Sequence, residues 1–135
     1  MIAAPLIVVA VVVALILQRR RPDPPIQSSS WTVPKQLDRT DFVDPDKPWL
    51  VALFSSATCD SCAKAREAVA VLESAEVAVM DVEVAAHAEV HERYMIDAVP
   101  MIVMADADGV VLASTVGPVK ASDLWATVAG VRENH

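Results

Sequence analysis

Six apolar residues in unbroken succession, residues 49–54 (WLVALF), constrain this chain more than any other feature. A continuous apolar run of strand length is expected of a strand buried on both faces, so other elements must cover it on each side. The run stops at residues 55–58 (SSAT), and Cys59-Asp-Ser-Cys62 then leads into residues 63–74. There Ala65, Val69 and Leu72 recur at helical spacing, with charged Lys64, Arg66, Glu67 and Glu73 on the other faces. The local order is strand, tight loop, cysteine pair, helix.

The rest of the chain supplies the covering elements. Residues 77–84 (VAVMDVEV) alternate over their second half as a strand does, and residues 87–94 have helical character. Residues 101–105 and 110–116 flank the turn Asp106-Ala-Asp-Gly109, the pattern of a hairpin. Ser122 and Asp123 offer helix-start chemistry for a last helix over 123–132, with Leu124, Val128 and Val131 on one face. Upstream, residues 31–33 read as a short edge strand and 37–43 as a brief helix before the turn residues 44–48. The predicted order from residue 49 is β-α-β-α-β-β-α, an α/β domain over residues 31–135.

Residues 1–17 (MIAAPLIVVAVVVALIL) carry no charged side chain. As a helix they would reach roughly 25 Å, near the short end of a membrane span. Gln18 and the arginines behind it extend that length by snorkelling. A cleaved leader carries positive charge before its apolar stretch and small residues after it, whereas Arg19–Arg21 follow the stretch here. The expectation is therefore a retained transmembrane anchor over 1–18 that contacts the lipid bilayer. Residues 19–30 then form a basic flank and a Pro/Ser-rich spacer. Because basic flanks stay on the cytoplasmic side, the expected protein is a single-pass component of the cell membrane with a cytoplasmic domain, an extracytoplasmic one being the alternative.

The formal net charge is −7, and removing Arg19, Arg20, Arg21 and Asp23, together +2, leaves −9 on the remainder. Such a surface repels phosphate backbones, and outside the arginine triplet there is no Lys/Arg cluster interleaved with aromatics. Nucleic acid is excluded as a partner.

The chain has two cysteines, both at the predicted strand-to-helix junction. That position suits dithiol chemistry: a short loop brings the sulfurs together, and the helix N-terminus favours a thiolate on the first. The first attacks, and the second resolves the mixed disulfide. A bare C-x-x-C is weak evidence, and this element order strengthens it.

On three stretches, WLVALFSSATCDSC, YMIDAVPMIVM and DGVVLASTVGPVKASDLWATV, residues 31 to 131 resemble the thioredoxin family. The resemblance implies a thioredoxin-like fold, a mixed central sheet with helices on both faces. It makes Cys59 the attacking thiol, Cys62 the resolving thiol and Pro100 the cis-proline beside them. Val99 is then the backbone that pairs with an extended substrate, and Gly117 borders the substrate groove. The departures are specific: Thr58 stands where the family has tryptophan, Asp60-Ser61 replaces Gly-Pro, and the buried acid that assists proton transfer at the resolving thiol falls at Leu53. A carboxylate at Asp60 opposes thiolate formation beside Cys59, while the helix dipole favours it.

Other residues read as structural. His87 and His91 have a metal-ligand spacing, but 24 residues separate them from Cys62, against about 12–15 in compact zinc fingers, and they read as solvated helix histidines. Asp81, Glu83, Glu89 and Glu92 read as strand ends and a charged helix face, and Met101 and Met104 as core filler. The expected activity is membrane-tethered thiol–disulfide exchange on protein disulfides or dithiols, with no metal or organic cofactor and an unidentified electron donor or acceptor. The alternative is a non-catalytic binding or redox-sensing module of the same fold.

Overall fold

The computed structural model describes residues 8–14, 16 and 31–135. Residues 8–14 are helical and exposed, and among the described residues no helix is long and apolar enough to cross a membrane. The remaining positions of the expected anchor, and the spacer at 19–30, lie outside the described residues. The chain divides between Ser30 and Trp31 into two units, and the second carries the redox pair.

In that unit a short 3-10 helix (Arg39–Asp41) precedes β1 (Trp49–Ser55), α1 (Asp60–Ala70), β2 (Val77–Glu83), α2 (Ala88–Arg93), β3 (Met101–Ala105), β4 (Val111–Val116) and α3 (Ala121–Asn134). The strands form one sheet in the order β2-β1-β3-β4. β1 runs parallel to β2 and antiparallel to β3, and β3 pairs antiparallel with β4. The sheet is therefore mixed, and the apolar run sits at its centre.

Alternation along β1 divides the core in two. Leu50, Ala52 and Phe54 face one side, with Leu37, Phe42, Val82, Val90 and Met101. Val51 and Leu53 face the other, with Ala65, Ala68 and Val69 of α1 and Leu124 and Val128 of α3. All five of these β1 residues are fully buried, as a strand covered on both sides requires. Burial of each large side chain contributes about 1.5–3 kcal/mol.

The turn before β4 depends on one glycine. Gly109 has φ +81°, and a Cβ there would lie 2.0 Å from the Leu37 carbonyl oxygen. The close approach lets the Leu37 amide donate to the Gly109 carbonyl at 2.8 Å.

Three local expectations are corrected. Residues 31–33 form no strand; an isolated bridge joins Gln36 to Val110 instead. α3 begins two residues early, with Lys120 at its N-cap, so Ser122 and Asp123 lie inside its first turn. His91 is buried, not solvated: its ring Nε2–H donates to the Val82 carbonyl at 2.6 Å and its imidazole packs edge-on against Phe54. The hydrophobic side of α2 takes the imidazole because that hydrogen bond satisfies its buried polar end.

Candidate functional site

Four loops meet at one end of the sheet. The register pairs Ser55 with Glu83, Phe54 with Met101 and Met101 with Val116. Thus the ends of β1, β2 and β4 and the start of β3 lie together. Sequence order then brings the redox loop, the segment before β3 and the segment after β4 to the same place.

Cys59 is the N-cap residue of α1, in extended conformation with φ −95° and ψ 112°, and no side chain caps that helix end. Its carbonyl accepts from the Cys62 amide at 3.3 Å. Cys59 and Cys62 are joined as a disulfide, with their Cα atoms 5.3 Å apart. The two sulfurs have different surroundings: Cys59 is half-buried, whereas Cys62 is completely buried on the core side of the helix. Of the two residues, Cys59 keeps part of its surface in contact with solvent and Cys62 keeps none. The Ser61 hydroxyl lies 3.6 Å from Cys59 Sγ, so a side chain between the cysteines touches the sulfur of the less buried one.

The Val99–Pro100 peptide bond is cis. Pro100 is buried at the start of β3, and its carbonyl accepts from the Gly117 amide at 2.8 Å. Gly117 has φ +90°, and a Cβ there would meet nothing within 4 Å. Backbone conformation therefore explains the glycine, and the space beside it is open. Val99 lies just before the β3 ladder, and among the described residues its amide and carbonyl make no backbone hydrogen bond. The structure thus gathers Val99, Pro100 and Gly117 at the end of the sheet that carries Cys59 and Cys62.

Three polar residues beneath the redox loop escaped the sequence reading. Ser55 is fully buried, and its hydroxyl donates to Asp81 Oδ1. Arg66 of α1 donates through Nε to Asp81 Oδ2 at 2.7 Å, and its Nη2 reaches Ser55 Oγ and the Ser56 carbonyl, both at 3.3 Å. Asp81 is thus no strand end: it sits within β2, paired in register with Leu53. The available signal was a carboxylate interrupting the apolar alternation of a strand, and an arginine one helical turn after the second cysteine.

Glu83 braces the same loop. Its carboxylate accepts from the amides of Ala85 and Ala86, each at 3.0 Å, and of Ala57 at 3.3 Å. These amides hold its pKa below the ordinary glutamate value, those of Ala85 and Ala86 most strongly. Among the described residues, no group of three or more His, Cys, Asp or Glu side chains converges as metal ligands would.

No protein-family model matches the sequence. No curated protein matches it either. Solved structures do. A single-site mutant of a thioredoxin from Halobacterium salinarum superposes with a TM-score of 0.56 at 24% identity, covering 64% of this chain and 76% of that one. The germline-specific thioredoxin Deadhead of Drosophila melanogaster gives 0.55 at 25% identity, over 64% and 83%. Oxidised mitochondrial thioredoxin 3 of Saccharomyces cerevisiae gives 0.53 at 18% identity, over 64% and 81%.

Proposed function

We propose, from a premise of thioredoxin-like fold with a Cys59–Cys62 pair, that the protein is a membrane-tethered oxidoreductase exchanging disulfides in partner proteins. The fold and the cysteine pair together support a thiol–disulfide redox role. The observation that carries the proposal is the asymmetry of the pair: an accessible sulfur at the head of α1 and a buried one behind it.

In the reductive direction, the Cys59 thiolate attacks one sulfur of a partner disulfide. A Cys59–partner bond forms, the partner's own S–S bond breaks, and one partner thiolate leaves. Cys62 then loses its proton and attacks the Cys59 sulfur, closing the internal disulfide and releasing the second partner thiolate. Two electrons pass from the dithiol to the partner, and an external thiol reductant returns them. Val99, before the strand ladder, offers free backbone to an extended partner segment, with Pro100 and Gly117 bordering it.

Tethering rests on the sequence: an apolar stretch of seventeen residues without charge, then Gln18 and three arginines. The same arginines support a cytoplasmic domain.

Turbidimetric reduction of insulin by the full-length chain, with dithiothreitol as electron source, tests the enzymatic reading. Cys59→Ser is expected to abolish turnover, and Cys62→Ser to accumulate a partner cross-linked through Cys59. Absence of wild-type turnover under every reductant would leave the fold as a binding or redox-sensing module. Carbonate extraction of membranes tests the tether: the intact chain stays in the pellet, and release into the supernatant refutes it.

A further inference from the structure

Two ionic side chains touch the backbone of the redox loop: Glu83 at the Ala57 amide, and Arg66 at the Ser56 carbonyl. The second contact is the more consequential, because the Ser56 carbonyl also accepts from the Cys59 amide at 3.3 Å. One acceptor thus joins the Arg66 guanidinium to the backbone of the attacking cysteine. Arg66 also stands one helical turn after Cys62 on α1.

The guanidinium is bound to Asp81, and both are bound to the buried hydroxyl of Ser55. Asp81 is the register partner of Leu53. Paired residues of neighbouring strands project from the same face of a sheet, so Asp81 stands beside Leu53 on the α1 side. Leu53 is the position at which the resemblance places an acid, and here it is fully buried among Val51, Ala65, Val69 and Ile102. The charge on this face comes from the adjacent strand, already joined to an arginine.

We propose that Arg66 and Asp81, coupled through Ser55, are positioning residues that hold the redox loop and set the dithiol–disulfide equilibrium of Cys59 and Cys62 by balancing opposite charges beneath it. The inference rests on the thiol–disulfide reading of the site. Attack requires a thiolate at Cys59 in the reduced pair, and its negative charge is favoured by a guanidinium and opposed by a carboxylate. While both are present their long-range effects nearly cancel, and their hydrogen bonds fix the loop. Removing one leaves an unbalanced unit charge close to the sulfurs, in a setting partly screened by solvent.

The test is equilibration of the full-length chain with glutathione buffers: the protein disulfide and two glutathione thiols give the protein dithiol and glutathione disulfide, a balanced two-electron exchange. Asp81→Asn is expected to favour the dithiol by about threefold or more, about 14 mV for threefold. Arg66→Gln is expected to favour the disulfide by a similar factor. The double variant should return to within about twofold of wild type, and Arg66→Lys, which keeps the charge, should do the same. A purely structural role would move both single variants in one direction. Shifts of equal sign, or no shift beyond twofold in either folded variant, overturn the inference. If Arg66→Gln does not fold, Asp81→Asn carries the test: a shift beyond twofold toward the dithiol, with Arg66→Lys staying within about twofold of wild type, is expected, and no shift in Asp81→Asn, or a shift toward the disulfide, overturns the inference. Insulin turnover by wild type is scored separately, so a failed activity and a failed charge balance are distinguishable.

Discussion

The two faces of the sheet are built from different materials. The face under α1 and α3 is aliphatic and small: Val51, Leu53, Ala65, Ala68, Val69 and Val128 let the redox helix lie close to the strands. The opposite face buries its rings, whereas on the redox face Trp49 is only partly buried and Trp125 is exposed. Phe42 packs edge-on to Phe54 at 6.5 Å and tilted to Tyr94 at 6.0 Å, and His91 packs edge-on to Phe54 at 5.4 Å. Ionic contacts differ in the same way. On the redox face the Arg66–Asp81 pair reaches into the cysteine loop. On the ring face Asp41 accepts from Arg93 and from the Tyr94 hydroxyl, tying the 3-10 helix to α2. That bond to Arg93 holds the Asp41 pKa below the usual carboxylate range, and burial raises that of Tyr94. The lesson is a division of labour: one face holds the domain together, and the other holds the chemistry in place.

If that division is real, Phe54→Ala should cost the most stability, about 3–5 kcal/mol, because it empties the centre of the ring cluster. Urea unfolding measures it. A cost below about 1 kcal/mol would break the comparison. Gly109→Ala comes next, at about 2 kcal/mol or more, since the added methyl overlaps the Leu37 carbonyl and the backbone has positive φ. Its insulin turnover should remain near wild type wherever the protein is folded, as the strain falls on the ring face.

Acid sharpens the contrast. Asp41 and Glu83 both have depressed folded pKa values, so the stability each contributes is complete above the ordinary carboxylate range, near pH 4, and is lost as pH falls below it. Melting temperature should hold steady from pH 7 to about 5 and then decline. Arg93→Met, which removes the main cause of the Asp41 shift, should flatten the ring-face part of that decline and leave the Glu83 part. An unchanged acid profile in that variant would refute the assignment. The smallest effect is expected at Trp125, whose indole N–H donates to the Ala68 carbonyl at 2.8 Å and links α3 to α1. Trp125→Phe should cost about 0.5–1.5 kcal/mol without moving the glutathione equilibrium.

Much of the fold was legible because its signals are local. The apolar run at β1, the Asp106–Gly109 turn and the helical spacing of Ala65 and Val69 each act within a few residues and lie where the periodicity places them, whereas α1 ends at Ala70 and Leu72 packs against the core from the turn beyond it. Boundaries were less legible: α3 starts at Ala121 without the side-chain cap that Ser122 and Asp123 suggested. His91 and Asp81 were misread because composition and charge assign both to solvent. Their partners are Val82, nine residues away, and Arg66, fifteen away, and nothing in local spacing announces either.

By itself the sequence determined a strand buried on both faces, a cysteine pair at the head of the helix that follows, and the order of the remaining elements. Patterns of period 2 and 3.6 and the direction of a helix dipole are properties of short segments, and they survive without neighbours. Only the tertiary structure decided that Cys62 is sealed while Cys59 is accessible, that Pro100 and Gly117 bond to each other at the same end of the sheet, and that Ser55, Arg66 and Asp81 form one polar unit. Those outcomes depend on strand register and on which face each element covers, and packing sets both across the whole domain.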